Sequence, residues 1–357
     1  MKLISVVGAR PQFIKAAILI SEFEKQDDCN HILVHTGQHY DQNMSEIFFQ
    51  ELGIRPADYN LEVGSGSHGV QTGQMLEKLE KVFLDEKPDW VIVYGDTNST
   101  LAAALAASKL HIPIAHIEAG LRSYNRDMPE EINRVLVDHL SSMLLVPTET
   151  AVNNLIREGF AEKNIHLVGD VMYDSVLHYK DIIKSDNSNE PYLLATVHRA
   201  ENTTDKERLS NIFEMLIDLS KKIPVIIPLH PGTRVALDKI GLISKVEKHL
   251  TIKPPVSYLE LLSYQKNARL IVTDSGGLQK EAFFIRTPCV TLRDETEWVE
   301  LLERGCNLLV PPKNKKIMLE SINEFLDNID DLLKQDVWSG LYGSGKACSK
   351  ISSLILN

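Results

Sequence analysis

Two short turns carry residues that suit the binding of a phosphate group. The first is Gly8-Ala9-Arg10-Pro11 and the second is Asp274-Ser275-Gly276-Gly277. Each follows an apolar segment and precedes a segment of helical period. A helix N-terminus accepts anions because it presents unpaired N–H groups and the positive end of a dipole. The two turns therefore predict two contacts with one diphosphate.

Side chains next to both turns strengthen this prediction. Arg10 and Lys15 would add two cations to the first turn, and a planar guanidinium can bind phosphate through two hydrogen bonds. A plain strand-to-helix turn with solvated charges is the alternative. After the second turn, Glu281 lies one helical turn beyond Gly277 on the same face. Its carboxylate could accept hydrogen bonds there from both hydroxyl groups of a ribose.

Two carboxylates end consecutive predicted strands. Asp96 follows the segment 90–94 and Glu118 follows the segment 114–117, so both can face one ligand. A carboxylate near a diphosphate is costly unless it carries a proton for chemistry, which indicates an enzyme. Asp96 could instead cap a helix. An acid that ends an apolar strand, as Glu118 does, is rarely buried without a function.

A third carboxylate, Glu130, has an equally good structural explanation. In Asp127-Met128-Pro129-Glu130 it would occupy helix position N3 of a capping box. Its other candidate role is that of a third acid/base group. The spacing favours neither.

Two histidines follow the first two predicted strands of the second half of the chain. They are His198 and His230, and Arg234 lies close to the second of them. A single histidine at a strand end is usually structural. Two in the same half as the turn at 274–277 favour a ligand-binding role. Arg293 begins a late acidic cluster, 293–298, that could contact a sugar.

The composition limits the classes of ligand. The chain has 357 residues, 43% of them hydrophobic and 24% charged, which is ordinary for a globular protein of two domains. A net charge of −11 argues against general affinity for nucleic acid or an anionic membrane. No apolar run approaches the ~20 residues of a membrane span. The four cysteines lack the spacing of a metal site or a disulfide framework. We therefore expect a cytoplasmic protein with no metal site.

The series of predicted elements restarts once. Short runs rich in Val and Ile alternate with segments of helical period, as in parallel sheets covered by helices on both faces. Strands of the first half are predicted at 3–7, 32–36, 90–94, 114–117, 143–146 and 165–168. After a polar stretch at 184–191, strands are predicted at 192–196, 225–229, 251–253, 270–273, 289–292 and 307–310.

The predicted fold class is therefore α/β, with two Rossmann-like, doubly wound domains. We predict a first domain at 1–170 that carries the acid/base carboxylates and a second at 171–345 that binds the nucleotide. A C-terminal helix within 346–357 is expected to pack back on the first domain. Ligands of open α/β sheets bind beyond the carboxyl ends of the strands, so we expect the ligand in a cleft between the domains.

The segment Gly64-Ser65-Gly66-Ser67-His68-Gly69 matches the dinucleotide fingerprint G-x-G-x-x-G. That fingerprint needs a buried strand before it and an acid about 20 residues later, at the end of the next strand. The residues at 57–62 are polar instead. We therefore predict a loop here, with Gln71 opening the helix that follows, and no NAD or other cofactor.

Read in order, these segments resemble the non-hydrolysing UDP-N-acetylglucosamine 2-epimerases, a family with a glycosyltransferase-B-like fold. The likeness covers essentially the whole chain and includes the segments 95–97, 116–122 and 129–134. It implies interconversion of UDP-GlcNAc and UDP-ManNAc, and a homodimer. The positions that match the family's catalytic residues are Asp96, Glu118, Glu130 and His198. Those that match its UDP contacts are Arg10, Ser275, Gly276 and Glu281.

Departures from the family pattern concern the substrate. Many members have Thr-Arg-Pro-Glu near the start and an Arg-Pro pair after the late acidic cluster. This chain has Ala9-Arg10-Pro11-Gln12 and Trp298-Val299 instead. With the segment His39-Tyr40-Asp41-Gln42-Asn43-Met44-Ser45, these features resemble the branch that acts on UDP-2,3-diacetamido-2,3-dideoxyglucuronate. The hexose is thus that of UDP-GlcNAc or this diacetamido uronate.

The reaction implied by the resemblance can proceed without a cofactor. The C2 proton of an N-acetylhexosamine lies beside no carbonyl group on the ring, so its direct removal is too costly. If UDP leaves first, positive character at C1 acidifies C2–H, and a carboxylate can remove the proton to give a 2-acetamidoglycal. Two faces of C2 require two differently placed acid/base groups. Arg10, His198 and the helix end at Ser275 and Gly276 would stabilise the departing diphosphate.

Three other functions remain compatible with the sequence. A glycosyltransferase shares the two-domain architecture and the nucleotide site. A hydrolysing epimerase would release UDP and free sugar. A sensor of UDP-sugars would bind the ligand without chemistry.

Overall fold

The computed structural model describes residues 1–38, 51–183 and 190–357. They form two compact units. Unit 1 comprises Met1–Ser175 and Gly340–Asn357, and unit 2 comprises Val176–Ser339. The divisions lie a few residues from the boundaries predicted at 170 and 345. The motif at 39–45 and most of the polar stretch at 184–191 lie outside the described residues.

Unit 1, as far as it is described, contains a parallel sheet of seven strands in the order β3-β2-β1-β4-β5-β6-β7. The strands are β1 (Lys2–Val7), β2 (Asn30–His35), β3 (Tyr59–Asn60), β4 (Trp90–Tyr94), β5 (Ile114–Ile117), β6 (Met143–Val146) and β7 (Ile165–Leu167). The helices are α1 (Arg10–Glu24), α2 (His68–Glu86), α3 (Asn98–Lys109), α4 (Pro129–Leu140), α5 (Glu149–Arg157) and α6 (Val171–Tyr179), with a 3-10 turn at Glu162–Asn164.

The central strands of unit 1 are largely apolar because both faces of the sheet are covered. Residues 91–94 of β4 are fully buried. On one side the alanine-rich helix α3 packs against α2 and α4. Small side chains allow α3 to lie close to the sheet, and this places its N-terminus at the carboxyl end of β4.

The described part of unit 2 has a parallel sheet of six strands in the order β10-β9-β8-β11-β12-β13. The strands are β8 (Leu193–Thr196), β9 (Val225–Pro228), β10 (Thr251–Lys253), β11 (Leu270–Thr273), β12 (Cys289–Thr291) and β13 (Asn307–Leu309). The helices are α7 (Ala200–Thr203), α8 (Lys206–Leu219), α9 (Pro231–Lys239), α10 (Ile243–His249), α11 (Tyr258–Asn267), α12 (Gly276–Phe284), α13 (Val299–Glu303), α14 (Lys315–Asp327) and α15 (Ile329–Lys334).

The C-terminal helix α16 (Ala347–Leu356) belongs to unit 1, where it packs against α1. The buried carboxylate of Asp174 accepts hydrogen bonds from the backbone N–H groups of Ala347, at 3.1 Å, and Cys348, at 2.8 Å. Burial raises the pKa of Asp174. One side chain from α6 thus satisfies two of the N–H groups that begin α16.

The predicted fold class, two doubly wound α/β domains, is confirmed. The strands predicted at 90–94, 114–117, 143–146, 251–253 and 270–273 match those observed. One strand was not predicted, and one helix boundary is wrong. Strand β3 forms at Tyr59–Asn60 in the polar stretch at 57–62 by pairing with β2, and it is not buried. Helix α2 begins at His68 rather than at Gln71. Among the described residues, no helix is long and apolar enough to cross a membrane.

Candidate active site

The strand order of unit 1 reverses between β1 and β4, and the loops after these strands lie side by side at that point. Strand β1 leads through Gly8 and Ala9 into α1, and β4 leads through Gly95 and Asp96 toward α3. In open α/β sheets such a reversal forms the crevice where ligands bind. These two loops therefore define the unit 1 half-site.

The side chain of Gln12 joins the two loops. Its Oε1 accepts hydrogen bonds from the backbone N–H groups of Gly8, at 2.8 Å, and Ala9, at 3.0 Å. Its Nε2 donates to the carbonyl oxygen of Tyr94 at 2.8 Å and to two threonine hydroxyl groups. The expectation that the N–H groups of this turn are unpaired is therefore wrong for Gly8 and Ala9. Any anion contact made by this turn must come from Arg10, which begins α1 and is partly exposed.

Lys15 and Glu118 form an ion pair between Nζ and Oε2, with side chains that are 11% and 8% exposed. Glu118 has a φ of +71°, a conformation that costs on the order of 1–3 kcal/mol in a residue other than glycine and is retained mainly at functional sites. Its Oε2 lies 3.2 Å from the point where a Cβ of Gly95 would stand. The structure thus brings Lys15 and Glu118 to the loop that carries Asp96.

Asp96 does not cap a helix. The N-cap of α3 is Thr97, whose hydroxyl oxygen accepts from the N–H of Thr100, so the alternative explanation of Asp96 is wrong. The Asp96 carboxylate forms an ion pair with Arg134 and keeps 31% of its side chain exposed. It is therefore both held in place and accessible.

Glu130 is exposed at the second position of α4. The capping box predicted for it is wrong because Pro129 begins the helix and Met128 is its N-cap, without a side-chain hydrogen bond. The neighbouring Glu131 is the buried acid. Its carboxylate accepts from the N–H groups of residues 123 and 124 at 3.0 and 2.9 Å, and pairs with Arg134 at 2.8 Å.

Sequence reasoning missed Arg134 and Glu131. Arg134 bridges two carboxylates, those of Asp96 and Glu131. The spacing of Glu131 and Arg134, three residues apart on one helix, is the signal that could have identified the pair.

In unit 2 the strand order reverses between β8 and β11, and Asp274 follows β11. The Asp274 carboxylate is fully buried and accepts hydrogen bonds from the backbone N–H groups of His198 and Arg199, at 3.0 Å each, and from Asn202 Nδ2 at 3.1 Å. Burial alone would raise the pKa of Asp274, but the contacts with His198, Arg199 and Asn202 hold it below its ordinary value. Asp274 thus fixes the loop after β8 beside the start of α12.

The turn 274–277 opens helix α12 as predicted, with Ser275 at the N-cap. The side chain of Ser275 makes no capping hydrogen bond. A Cβ on Gly276 would stand 2.7 Å from Oε1 of Glu297, so glycine is needed for this close approach. Arg293, nearly fully buried, donates to the other oxygen of Glu297 at 3.0 Å. The predicted sugar contact Arg293 therefore already has a carboxylate partner.

The two strand-end histidines lie close enough to interact. Burial, and then the charge of His198, lower the pKa of His230. His198 Nδ1 lies 3.2 Å from Oδ1 of Asp274, and its side chain is 45% exposed. The Nδ1 of His230 accepts from the N–H of Gly232 at 3.1 Å and caps α9. His198 is thus an accessible imidazole beside the start of α12.

The two remaining predicted binding residues, Glu281 and Arg234, lie in different environments. Glu281 is buried, and its Oε2 accepts from Gln265 Nε2 at 2.7 Å. Arg234 forms an exposed ion pair with Glu247 at 2.6 Å, beside a cavity of about 570 Å³ that includes residues of the edge strand β10. The described contacts of Arg234 do not connect it with His198 or Ser275.

Comparisons with known proteins agree on one family. The model of the family UDP-N-acetylglucosamine 2-epimerase matches residues 21–356. A "UDP-N-acetylglucosamine 2-epimerase homolog" of Methanococcus maripaludis is 50% identical, with 100% of both chains covered. The "UDP-2,3-diacetamido-2,3-dideoxy-D-glucuronate 2-epimerase" of Pseudomonas aeruginosa is 49% identical, with 99% of both covered. The crystal structure of Methanocaldococcus jannaschii UDP-GlcNAc 2-epimerase in complex with UDP-GlcNAc and UDP is similar with a TM-score of 0.90 and 45% identity, over 100% of this chain and 99% of that one.

Proposed function

Because the chain belongs to the UDP-N-acetylglucosamine 2-epimerase family, we propose that it inverts C2 of a UDP-N-acetylhexosamine without releasing the free sugar. It is an isomerase. The observation that carries the mechanism is the buried Lys15–Glu118 ion pair beside the Asp96 loop, at the switch point of unit 1. This arrangement provides carboxylates in different environments, as two-faced proton transfer requires.

The residues of unit 2 are assigned to the nucleotide. The N-terminus of α12 at Ser275, Gly276 and Gly277 would accept the diphosphate, and the exposed His198 would donate to it. Glu281, with one oxygen fixed by Gln265, would accept from the ribose. His230, Arg234 and Arg293 stay candidate contacts from the sequence. Of these, Arg293 would act by holding Glu297 next to Gly276.

The residues of unit 1 are assigned to proton transfer at C2. In the first step the C1–O bond breaks, its electron pair leaves with UDP, the C2 proton passes to one carboxylate, and a C1–C2 double bond forms. In the second step another acid protonates C2 on the opposite face, and a phosphate oxygen of UDP bonds to C1 again. Glu118, ionised in its pair with Lys15, is the candidate base. Asp96 and the exposed Glu130 are the other candidate acid/base groups. Arg10 would stabilise the negative charge on the departing phosphate.

Isotope exchange tests this reaction directly. Enzyme incubated with the UDP-sugar in deuterium oxide should place deuterium at C2 of recovered substrate and product. Protium that persists at C2 through many turnovers would exclude the elimination route. Phosphorus NMR on the same samples separates the alternatives: accumulating UDP would indicate hydrolysis, and UDP release that requires an added acceptor would indicate a glycosyltransferase.

A second experiment determines which hexose is the substrate. Relatives at 49% and 45% identity carry the names of a diacetamido uronate 2-epimerase and a UDP-N-acetylglucosamine 2-epimerase. Measuring kcat/KM for UDP-GlcNAc and for UDP-2,3-diacetamido-2,3-dideoxyglucuronate under identical conditions distinguishes the two. A product of either kind would serve as an activated sugar for a polysaccharide-forming glycosyltransferase.

We also propose a homodimer in the cytoplasm. Ile132 and Leu136 lie one turn apart on α4, and each is more than two-fifths exposed, which suits burial against a second copy. Cys289, Cys306 and Cys348 are buried free thiols, which fits a reducing compartment. Light scattering should give twice the chain mass. A monomer with full activity would rule the dimer out as a requirement.

A further inference from the structure

Three successive backbone carbonyl groups around Asp96 accept hydrogen bonds from side chains. The Tyr94 oxygen accepts from Gln12 Nε2 at 2.8 Å, and the Asp96 oxygen accepts from Asn133 Nδ2 at 2.9 Å. Between them, the Gly95 oxygen lies 2.8 Å from Nε2 of His116. The loop that carries Asp96 is therefore fixed residue by residue from α1, β5 and α4.

His116 is itself held by Asp138 of α4. Its Nδ1 lies 2.7 Å from Oδ1 of Asp138, and both side chains are fully buried. The second oxygen of Asp138 accepts from Arg122 Nη1 at 2.7 Å and from the N–H of Gly120 at 3.2 Å. Glu118 stands between His116 and Gly120 in the sequence. The His116–Asp138 pair thus contacts the chain on both sides of Glu118, and also the residue before Asp96.

Both ring nitrogens of His116 face acceptors. A backbone carbonyl oxygen only accepts hydrogen bonds, and so does an ionised carboxylate. Burial works to raise the pKa of Asp138, but hydrogen bonds and charges from His116 and Arg122 hold it below its ordinary value. Each ring nitrogen of His116 thus has an acceptor as its partner, and the two contacts fix the orientation of the ring.

We propose that His116 is a positioning residue: by holding the Gly95 oxygen it sets the spacing of the Asp96 and Glu118 carboxylates for proton transfer at C2, while Asp138 anchors its ring. This inference rests on the proposed function. Neither side chain reaches the substrate, because both are fully buried. A misplacement of 1 Å in a reacting group can lower the rate by about 10². Loss of the contact with Gly95 therefore lowers kcat much more than it changes KM.

Two substitutions at one position separate the two contacts of His116. In His116→Gln the amide nitrogen replaces Nε2 and can still donate to the Gly95 oxygen. In His116→Asn it replaces Nδ1 and can still donate to Asp138. Each variant loses one of the two buried contacts of the ring, so both should unfold at lower temperature than the wild type by similar amounts. Only His116→Asn should lose about 10² in kcat, with little change in KM.

Two further measurements do not depend on the folding of those variants. In Asp138→Asn, the amide oxygen can accept from Arg122 and Gly120 while its nitrogen donates to Nδ1 of His116, which keeps its Nε2 proton on the Gly95 oxygen. Its kcat should therefore fall much less than that of His116→Asn. Nitrogen-15 NMR of histidine-labelled protein should show a proton on Nε2 of His116 in both the wild type and Asp138→Asn.

The outcomes identify which idea fails. If both His116 variants lose kcat equally and in step with stability, or if Nε2 of wild-type His116 carries no proton, the positioning role is wrong. If the wild type itself shows no exchange at C2, the proposed reaction is wrong, while the NMR result still reports whether Nε2 of His116 donates to the Gly95 oxygen.

Discussion

Helices α1 and α12, which follow strands β1 and β11 at the points where the strand order of each sheet reverses, begin differently. In unit 1, the Gln12 side chain occupies the N–H groups of Gly8 and Ala9 that precede α1. In unit 2, the Ser275 side chain makes no capping hydrogen bond at the start of α12, and Gly276 leaves room for the carboxylate of Glu297. The two turns follow strands that are not equivalent in the strand order, because β1 corresponds to β8 and β11 corresponds to β4. The turn after β1 thus presents a closed polar network, and the turn after β11 presents a helix end suited to an anion.

The difference explains how one architecture can divide two tasks. A turn whose N–H groups are satisfied internally can hold carboxylates nearby, because it adds little attraction for a competing phosphate. A helix end in which the positive dipole faces outward attracts the diphosphate itself. We infer that the acid/base work is assigned to unit 1 and the nucleotide to unit 2.

The largest expected effect is that of Glu118→Gln. If Glu118 transfers a proton, kcat should fall by about 10² or more, while the Kd for UDP stays near that of the wild type because the nucleotide is assigned to unit 2. Steady-state kinetics and calorimetric titration with UDP measure the two quantities. The control is Glu77→Gln, which removes an exposed carboxylate of α2. If Glu118→Gln weakened UDP binding as much as it lowered kcat, the assignment of proton transfer to unit 1 and of the nucleotide to unit 2 would be wrong.

Between pH 6.5 and 4, acid should destabilise unit 1 more than unit 2. Burial, followed by the charge of Arg55, lowers the pKa of His31 to about 4 from 6.5. Its contribution to stability is complete above pH 6.5 and is lost as the pH falls toward 4, because the unfolded chain binds a proton that the folded unit does not; the loss is on the order of 3 kcal/mol. For Asp274 the pKa is lowered from 3.8, so its contribution persists until the pH falls below that value.

Urea unfolding at pH 7 and pH 5, followed by the fluorescence of Trp90 with Trp298 and Trp338 replaced by Phe, measures the stability of unit 1. In His31→Gln the difference between the two pH values should shrink. An unchanged difference would mean that another group in unit 1 controls its acid sensitivity.

Replacement of Gln12 by alanine tests whether the turn before α1 binds phosphate. The substitution leaves the buried N–H groups of Gly8 and Ala9 without their partner and removes one of two hydrogen bonds to the Tyr94 oxygen, which should cost about 1–3 kcal/mol of the free energy of unfolding. The Kd for UDP should stay the same. A clear change in UDP affinity would show that these N–H groups contact the nucleotide, and the two units would then resemble each other more than we infer.

The smallest expected effect separates two neighbouring glycines of unit 2. In Gly276→Ala the new Cβ would lie 2.7 Å from the Glu297 carboxylate, whereas in Gly277→Ala its nearest neighbour is the Ser275 hydroxyl at 4.0 Å. Displacement of Glu297 at the helix end should weaken UDP binding about tenfold, or about 1.4 kcal/mol. Gly277→Ala is the matched control. Equal affinities in the two variants would place the diphosphate away from Gly276.

The sequence predicted the fold much better than the contacts of the site. Segments such as 90–94 and 270–273 are continuous apolar runs between helical periods, so their ends were found correctly. The carboxylates at strand ends were found for the same reason. Glu131 and Arg134 were missed although their spacing on one helix is a local signal, because that spacing does not show which of Glu130 and Glu131 is buried. The local explanations for Asp96 and Glu130 were wrong because Thr97 and Met128, respectively, occupy the N-cap positions.

The sequence by itself determined two doubly wound units and which polar residues follow which strands, because hydrophobic period and strand length are local properties. The tertiary structure alone decided the partners: Glu118 with Lys15, 103 residues away, and Asp96 with Arg134, 38 residues away. It also decided that Gln12 accepts the hydrogen bonds of the N–H groups before α1 and that Arg234 pairs with Glu247. Such pairings depend on which strands become neighbours and on how helices pack over them, and residue spacing along the chain carries no direct record of either.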